Sequence, residues 1–237
     1  MAHKILRTYV ATGVLSLCFL GMSPVARAGL TISASVGGAP TGVNYANFDN
    51  LPLGAAGGTS NGIAVSFTGD GQAVQGSLSG VYAAPYLSNG NGTLFNDPND
   101  GPDATTYLST GIGSVTLTLP GQEMYVGLLW GSVDTYNTLS LYDGSTLVGT
   151  VTGSQVTSNA NGDQGMNGTF YVNINSTESF DKVVATSSSY AFEFDNVAYN
   201  ASAVPEPSSF VLMVVGAMGL VTYQQVRRKG LAAGKKG

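Results

Sequence analysis

Between Asn96 and Asp103 the chain reads Asn96-Asp97-Pro98-Asn99-Asp100-Gly101-Pro102-Asp103, a run of carboxylates and amides broken by proline and glycine. Oxygen donors at that density suit Ca²⁺, which collects about six to eight oxygens from carboxylates, amides and backbone carbonyls. Asp97, Asn99, Asp100 and Asp103 are the candidate ligands. The EF-hand pattern is not met, because no Glu closes the loop at the required distance. Turn chemistry gives the other reading, a solvated acidic turn between strands. Glu193 and Asp195, two apart on one face of a predicted strand, form a reserve metal-ion site or simply face water.

Aromatic side chains offer a second chemistry, since flat apolar faces stack on sugar rings. Trp130, Tyr82, Tyr86, Tyr107, Tyr125 and Tyr136 are the pool, and Tyr82, Tyr86 and Trp130 are the candidates for ligand stacking. Tyr82 and Tyr86 lie in the turn-like segment Val81-Tyr82-Ala83-Ala84-Pro85-Tyr86, which favours exposure. Trp130 ends a run containing Val126, Leu128 and Leu129, which favours burial.

Catalysis has few residues to work with. The only Cys, Cys18, and the only His, His3, both precede Gly29. Beyond that point the chain has no Ser-His-Asp or Cys-His system, no usual zinc ligand set, no imidazole base and no disulfide. Paired carboxylates acting on glycosidic bonds are the enzyme hypothesis that survives, and nothing in the sequence selects the pair. The expectation is a non-enzyme.

Charge narrows the partners further. All but Glu206 of the fourteen acidic residues lie between Gly29 and Ala203, where Lys182 is the one base among the chain's nine. Such a surface repels phosphate backbones, which excludes nucleic acid, and leaves divalent cations as the charged partners it suits.

The elements that must position these residues read as strands. Alternation of Val115, Leu117 and Leu119 with Ser114, Thr116 and Thr118, and of Phe192 and Phe194 with Glu193 and Asp195, gives each strand one core face. Predicted strands cover 30–36, 63–67, 73–78, 114–119, 123–130, 138–142, 146–151, 169–174, 182–186 and 190–199, with a tight hairpin at Asp143-Gly144. No linker divides residues 29–203, and helical periodicity is lacking. The fold class is all-β: a β-sandwich, jelly-roll-like, with a β-barrel as the alternative.

Both ends carry processing signals. Lys4 and Arg7 precede the apolar run Tyr9 to Met22, and Ala26-x-Ala28 supplies small side chains at a cleavage point, so residues 1–28 read as a signal peptide. At the other end Val204-Pro205-Glu206-Pro207 is followed by the apolar run Phe210 to Tyr223 and then Arg227-Arg228-Lys229. A single membrane helix over 208–226 requires its polar ends to sit at the interfaces, and the basic cluster stays cytoplasmic with the tail 230–237.

The tripartite tail, Pro-Glu-Pro, short membrane helix and basic cluster, resembles that of the PEP-CTERM proteins over residues 204–229. The resemblance implies recognition and cleavage by an exosortase, a membrane transpeptidase-like enzyme, in Gram-negative bacteria that make exopolysaccharide. Within the body, Ser189-Tyr190-Ala191-Phe192-Glu193-Phe194-Asp195-Asn196-Val197-Ala198-Tyr199 looks like the last strand of jelly-roll domains of exported bacterial proteins, some of which bind carbohydrate. Asn47-Phe48-Asp49-Asn50-Leu51-Pro52 is similar to the opening strand and turn of many PEP-CTERM ectodomains.

These readings combine into an exported protein of the envelope, outer surface or matrix, held in the inner membrane by its C-terminal helix until processing. Signal peptidase and exosortase are the expected processing partners, and exopolysaccharide is the expected ligand. A structural or adhesive role is expected, with a non-catalytic carbohydrate-binding module as the alternative and a glycoside hydrolase behind both. Ca²⁺ is the one cofactor suggested.

Overall fold

The computed structural model describes residues 29–204 and Tyr223. The membrane helix predicted over 208–226, the signal peptide and the tail 230–237 therefore lie outside the described residues.

Strands dominate, as the alternation predicts. In chain order they are β1 (Leu30–Ser35), β2 (Asn44–Ala46), β3 (Gly58–Ser60), β4 (Ile63–Gly69), β5 (Gln72–Val74), β6 (Tyr86–Leu87), β7 (Gly101–Pro102), β8 (Tyr107–Thr110), β9 (Gly113–Gly131), β10 (Asn137–Asp143) and β11 (Thr146–Thr152). A one-turn helix α1 (Gly153–Val156) follows, then β12 (Phe170–Ser187) and β13 (Phe192–Asn200). Among the described residues eleven strands join in one sheet, and β6 pairs separately with β7.

Two long strands turn that sheet into a sandwich-like body. The first half of β9 pairs with β4, Gly113 opposite Gly69 through Thr118 opposite Ala64. Its second half lies between β12 and β13, with Trp130 opposite both Phe170 and Phe194. In the same way β12 starts between β1 and β9, and ends against β10. The sequence predicts separate strands at 114–119 and 123–130, and again at 169–174 and 182–186. Each pair is one continuous strand that changes partners at the point where the prediction sees a gap. Pro120 falls in that change-over, where no ladder bond is demanded of it.

The predicted strand at 73–78 stops at Val74, and the one at 190–199 begins at Phe192. The hairpin at Asp143-Gly144 forms as read, with Asp143 opposite Thr146 and Gly144 at a φ of 57°.

One apolar core fills the space between the layers. Val115, Leu117, Val126, Leu128, Trp130, Leu139, Leu141, Val172, Ile174, Phe180, Val183, Phe192 and Phe194 are all buried in it. Each such side chain contributes roughly 1.5–3 kcal/mol relative to exposure. Trp130 stacks on Phe192 with ring centroids 4.3 Å apart.

The opposite face of the central strands is covered too. Leu87, Phe95, Tyr125, Leu129, Tyr171 and Ala198 form a smaller buried cluster there. The connection between β5 and β8, which contains the acidic loop, supplies Leu87 and Phe95 to that cover. As a result β13 is buried on both faces from Phe192 to Tyr199. That corrects one option for Glu193 and Asp195: neither faces water.

A bulge in β13 completes the positioning. Asp195 lies opposite Leu129, but Ala198 lies opposite Gly127, with the register shift between them and Asn196 at a φ of 53°. Phe192 and Phe194 enter the core before the bulge, and Val197 and Tyr199 after it.

Candidate functional site

Two constellations stand out, a cleft lined by tyrosines and a buried acidic cluster. The cleft, about 210 Å³, sits where the connections β5–β6, β9–β10, β11–β12 and β12–β13 meet at one end of the sheet. Tyr82, Tyr136 and Tyr190 supply its aromatic walls, and Asp134, Asn161 and Gln164 its polar ones. Glu193 lies at its floor.

Each wall is held by its own bonds. The Tyr136 hydroxyl donates to the Tyr190 carbonyl at 2.9 Å, and the Tyr190 hydroxyl donates to Asp70 Oδ2 at 2.6 Å. Gly111 lies directly under the Tyr190 ring, where a Cβ would collide with it. Tyr190 is 43% exposed, so its ring is fixed yet open to solvent. On its far side a second cavity of about 240 Å³, lined by Ala55, Asp70, Gln72 and Val81, shares Tyr190 and Val81 with the first. Asp134 pairs with Asn161 across an isolated bridge, and Gly162 N–H donates to the Val133 carbonyl at 3.1 Å, which ties the β9–β10 and β11–β12 connections together.

Glu193 is 2% exposed. One oxygen accepts from the Ala83 N–H at 2.9 Å and the other from the Ser132 hydroxyl. Burial pushes its carboxyl up to about 7, the Asp134 charge adds to the rise, and the two donors oppose it. Burial, then the neighbouring Asp134 carboxylate, raises the Tyr136 phenol above its ordinary value.

The predicted calcium loop does not form a cage. Asp100 turns away to cap the backbone of the Asn89-Gly90 turn, accepting at 3.0 and 2.9 Å, and Asn99 is exposed. Asp97 accepts weakly from the Asn99 N–H at 3.4 Å. Asp97 and Asp103 are both buried, and Asp103 Oδ1 accepts from the Thr105 N–H and hydroxyl. Among the described residues no three acidic side chains gather closely enough to hold a metal by themselves.

Asp103 meets Asp195 instead. Asp195 is fully buried, and neither of its oxygens has a hydrogen-bond partner; Asp103 Oδ2 has none either. Burial first, and the charge and contact of Asp103 next, raise the Asp195 carboxyl well above the carboxylate range. The charge of Asp49 adds to the same shift. Asp49, absent from the sequence-based candidates, accepts from the Thr106 N–H at 3.2 Å and the Asn47 amide at 2.6 Å.

The stacking candidates divide. Tyr82 lines the cleft, while Tyr86 pairs with Pro102 outside it. Trp130 is fully buried under Phe192 and offers no face to a ligand. Tyr190, Asp134, Asn161 and Gln164 were not among the sequence-based candidates. Only the position of Tyr190 in a Ser-rich connection hinted at exposure.

At the end of the described body, the Asn175 side chain grips the backbone of Val204, accepting from its N–H at 2.7 Å and donating to its carbonyl at 2.9 Å. Of the processing residues, Ala26, Ala28, Pro205, Glu206, Pro207, Arg227, Arg228 and Lys229 lie outside the described residues. Residues 203–228 match the PEP-CTERM protein-sorting motif. The chain is thus an exosortase-dependent, exported, envelope-associated protein. No curated protein matches it.

Proposed function

We propose that this protein is a non-catalytic, adhesive component of the cell surface or extracellular matrix that holds units of a neutral glycan in the cleft of Tyr82, Tyr136 and Tyr190. The observation carrying this reading is a partly exposed aromatic face, Tyr190, fixed by a hydrogen bond to Asp70 and set between two cavities, the first of them polar. Stacking on a tyrosine face with hydrogen bonds from carboxylate and amide groups is chemistry that suits a pyranose ring. Asp134 and Glu193 line the same cleft and no Lys or Arg does, which disfavours an acidic polysaccharide.

Glu193 and Asp134 also raise the hydrolase reading, since a carboxyl lifted to about 7 beside a second carboxylate is the pattern of a glycosidase acid. Both oxygens of Glu193, however, already accept hydrogen bonds from the protein, and the residue is nearly inaccessible. That is the setting of a structural carboxylate.

The test is binding of the full-length chain in detergent to an array of neutral and acidic polysaccharides. A neutral polysaccharide should be retained, and Tyr190→Ala and Tyr82→Ala should each weaken retention by about tenfold. Unchanged retention in both variants, or release of reducing ends from the bound glycan, would refute the proposal.

A further inference from the structure

The acidic cluster beneath the β5–β8 connection points to a second site, independent of the glycan cleft. We propose that Asp103 and Asp195 together ligate one Ca²⁺ ion, with Asp49 supplying negative charge at its solvent side. The site draws one residue from the predicted loop and one from the reserve pair, and adds a third that neither contained.

Three carboxylate oxygens carry the argument. Asp195 Oδ1, Asp195 Oδ2 and Asp103 Oδ2 are buried and lack hydrogen-bond partners among the described residues. The two carboxyl groups stand against each other, acceptor facing acceptor, both buried within the body. Leaving even one buried acceptor unmade costs about 1–3 kcal/mol, and more when it is charged. A proton shared between the two groups would pair only two of the three oxygens, and the Asn196 N–H, which pulls the Asp195 carboxyl down, does not reach bonding geometry to the third. A cation pairs all three.

The fold brings the ligands together from distant parts of the chain. Ala46 lies opposite Val197 in the β2–β13 ladder, so Phe48-Asp49-Asn50 continues alongside Phe194-Asp195-Asn196, and Phe48 packs edge-on against Phe194 at 6.4 Å. Asp103 is anchored by its own N–H, which donates to the Pro85 carbonyl at 2.8 Å. Gly131, on the β9 neighbour of β13, lets Pro85 approach: a Cβ there would stand 3.0 Å from it. Asp49 is exposed, which leaves a route from solvent.

The ligand chemistry selects calcium. Two carboxylates with backbone carbonyls and water make an all-oxygen, irregular shell, which Ca²⁺ accepts readily. Mg²⁺ demands near-octahedral geometry and sheds its water reluctantly, and Zn²⁺ favours the His and Cys ligands that residues 29–204 do not contain. The sole base of the domain, Lys182, is bonded to the Gly144 carbonyl and lies over Tyr142, so it does not neutralise the cluster.

The experiment is thermal unfolding of the purified full-length chain in detergent, followed by the fluorescence of Trp130, the only tryptophan. Calcium a hundredfold above Kd should raise the melting temperature by about 5–10 °C over chelator, and Mg²⁺ at equal ionic strength by much less. Asp195→Asn should lose that rise while melting higher than wild type in chelator, because its amide can donate to Asp103. Titration calorimetry should count one ion per chain. Should Asp195→Asn fail to fold, Asp49→Asn at the exposed rim should bind calcium several-fold more weakly, and undiminished affinity there would overturn the site. Coincident wild-type melting in calcium and chelator would overturn it in favour of a shared proton. A calcium response that persists in both Asp195→Asn and Asp103→Asn would place the ion elsewhere and overturn it equally.

Discussion

Replacing Glu193 by Gln should remove the pH dependence that this residue imposes on stability. In the folded chain burial raises its carboxyl to about 7, from an ordinary value of 4.5. The unfolded chain titrates near that ordinary value, so between the two the folded state holds the extra proton. Stability from this group is therefore greatest below about pH 4.5, falls as pH rises, and levels off above about 7. The span of about 2.5 units corresponds to a loss of about 3 kcal/mol at about 1.4 kcal/mol per unit. Gln keeps the shape, its carbonyl accepting from the Ala83 N–H and its amide donating to the Ser132 hydroxyl, and it does not ionise. Urea unfolding of full-length wild type and Glu193→Gln should be followed by Trp130 fluorescence in detergent and chelator at constant ionic strength. The variant should gain about 3 kcal/mol on wild type between pH 4 and pH 8. Parallel curves, or a wild type that gains on the variant as pH rises, would show that burial does not set the ionisation of Glu193.

Two further outcomes follow from the core and from the chain ends. Phe192→Ala removes the ring that stacks on Trp130 at 4.3 Å and should cost about 3–5 kcal/mol, with a red-shifted Trp130 emission even before unfolding; a change below about 1 kcal/mol in denaturant titration would mean the layers close over the gap. Mass spectrometry of the form released from cells should find Gly29 at the N-terminus and no Arg227-Arg228-Lys229; an intact basic tail in released material would contradict exosortase processing.

What could be read from the sequence follows from how local each determinant is. The strand pattern of β4, β10 and β11 and the Asp143-Gly144 hairpin depend on alternation and turn chemistry within a few residues, and they form where expected. The continuity of β9 and β12 is a tertiary fact. Pro120-Gly121 and Thr177 to Ser179 look like strand ends because they lack apolar alternation, yet they mark where each strand passes from one set of partners to another. β8 was missed for the opposite reason: Tyr107, Leu108, Ser109 and Thr110 are all buried, so no alternation betrays it.

Glu193 and Asp195 show how polarity misleads once a strand is covered twice. Alternation with Phe192 and Phe194 correctly assigns the two acids to one face, but says nothing of what lies over that face. The cover comes from Leu87 and Phe95 in a connection about a hundred residues earlier, which no periodicity links to β13. One sequence signal does cross that distance. The triplet Phe-Asp-Asn occurs at Phe48-Asp49-Asn50 and again at Phe194-Asp195-Asn196, each followed by an aliphatic residue, Leu51 and Val197. The β2–β13 register brings the two copies side by side, their phenylalanines packing in the core and the charge of Asp49 reaching Asp195. Two copies of an apolar-acidic-amide step at opposite ends of a domain thus encode both a strand pairing and a charge cluster. The apolar member stabilises the pairing, and the acid members, brought close by it, create an electrostatic strain, the one that the proposed calcium ion would relieve.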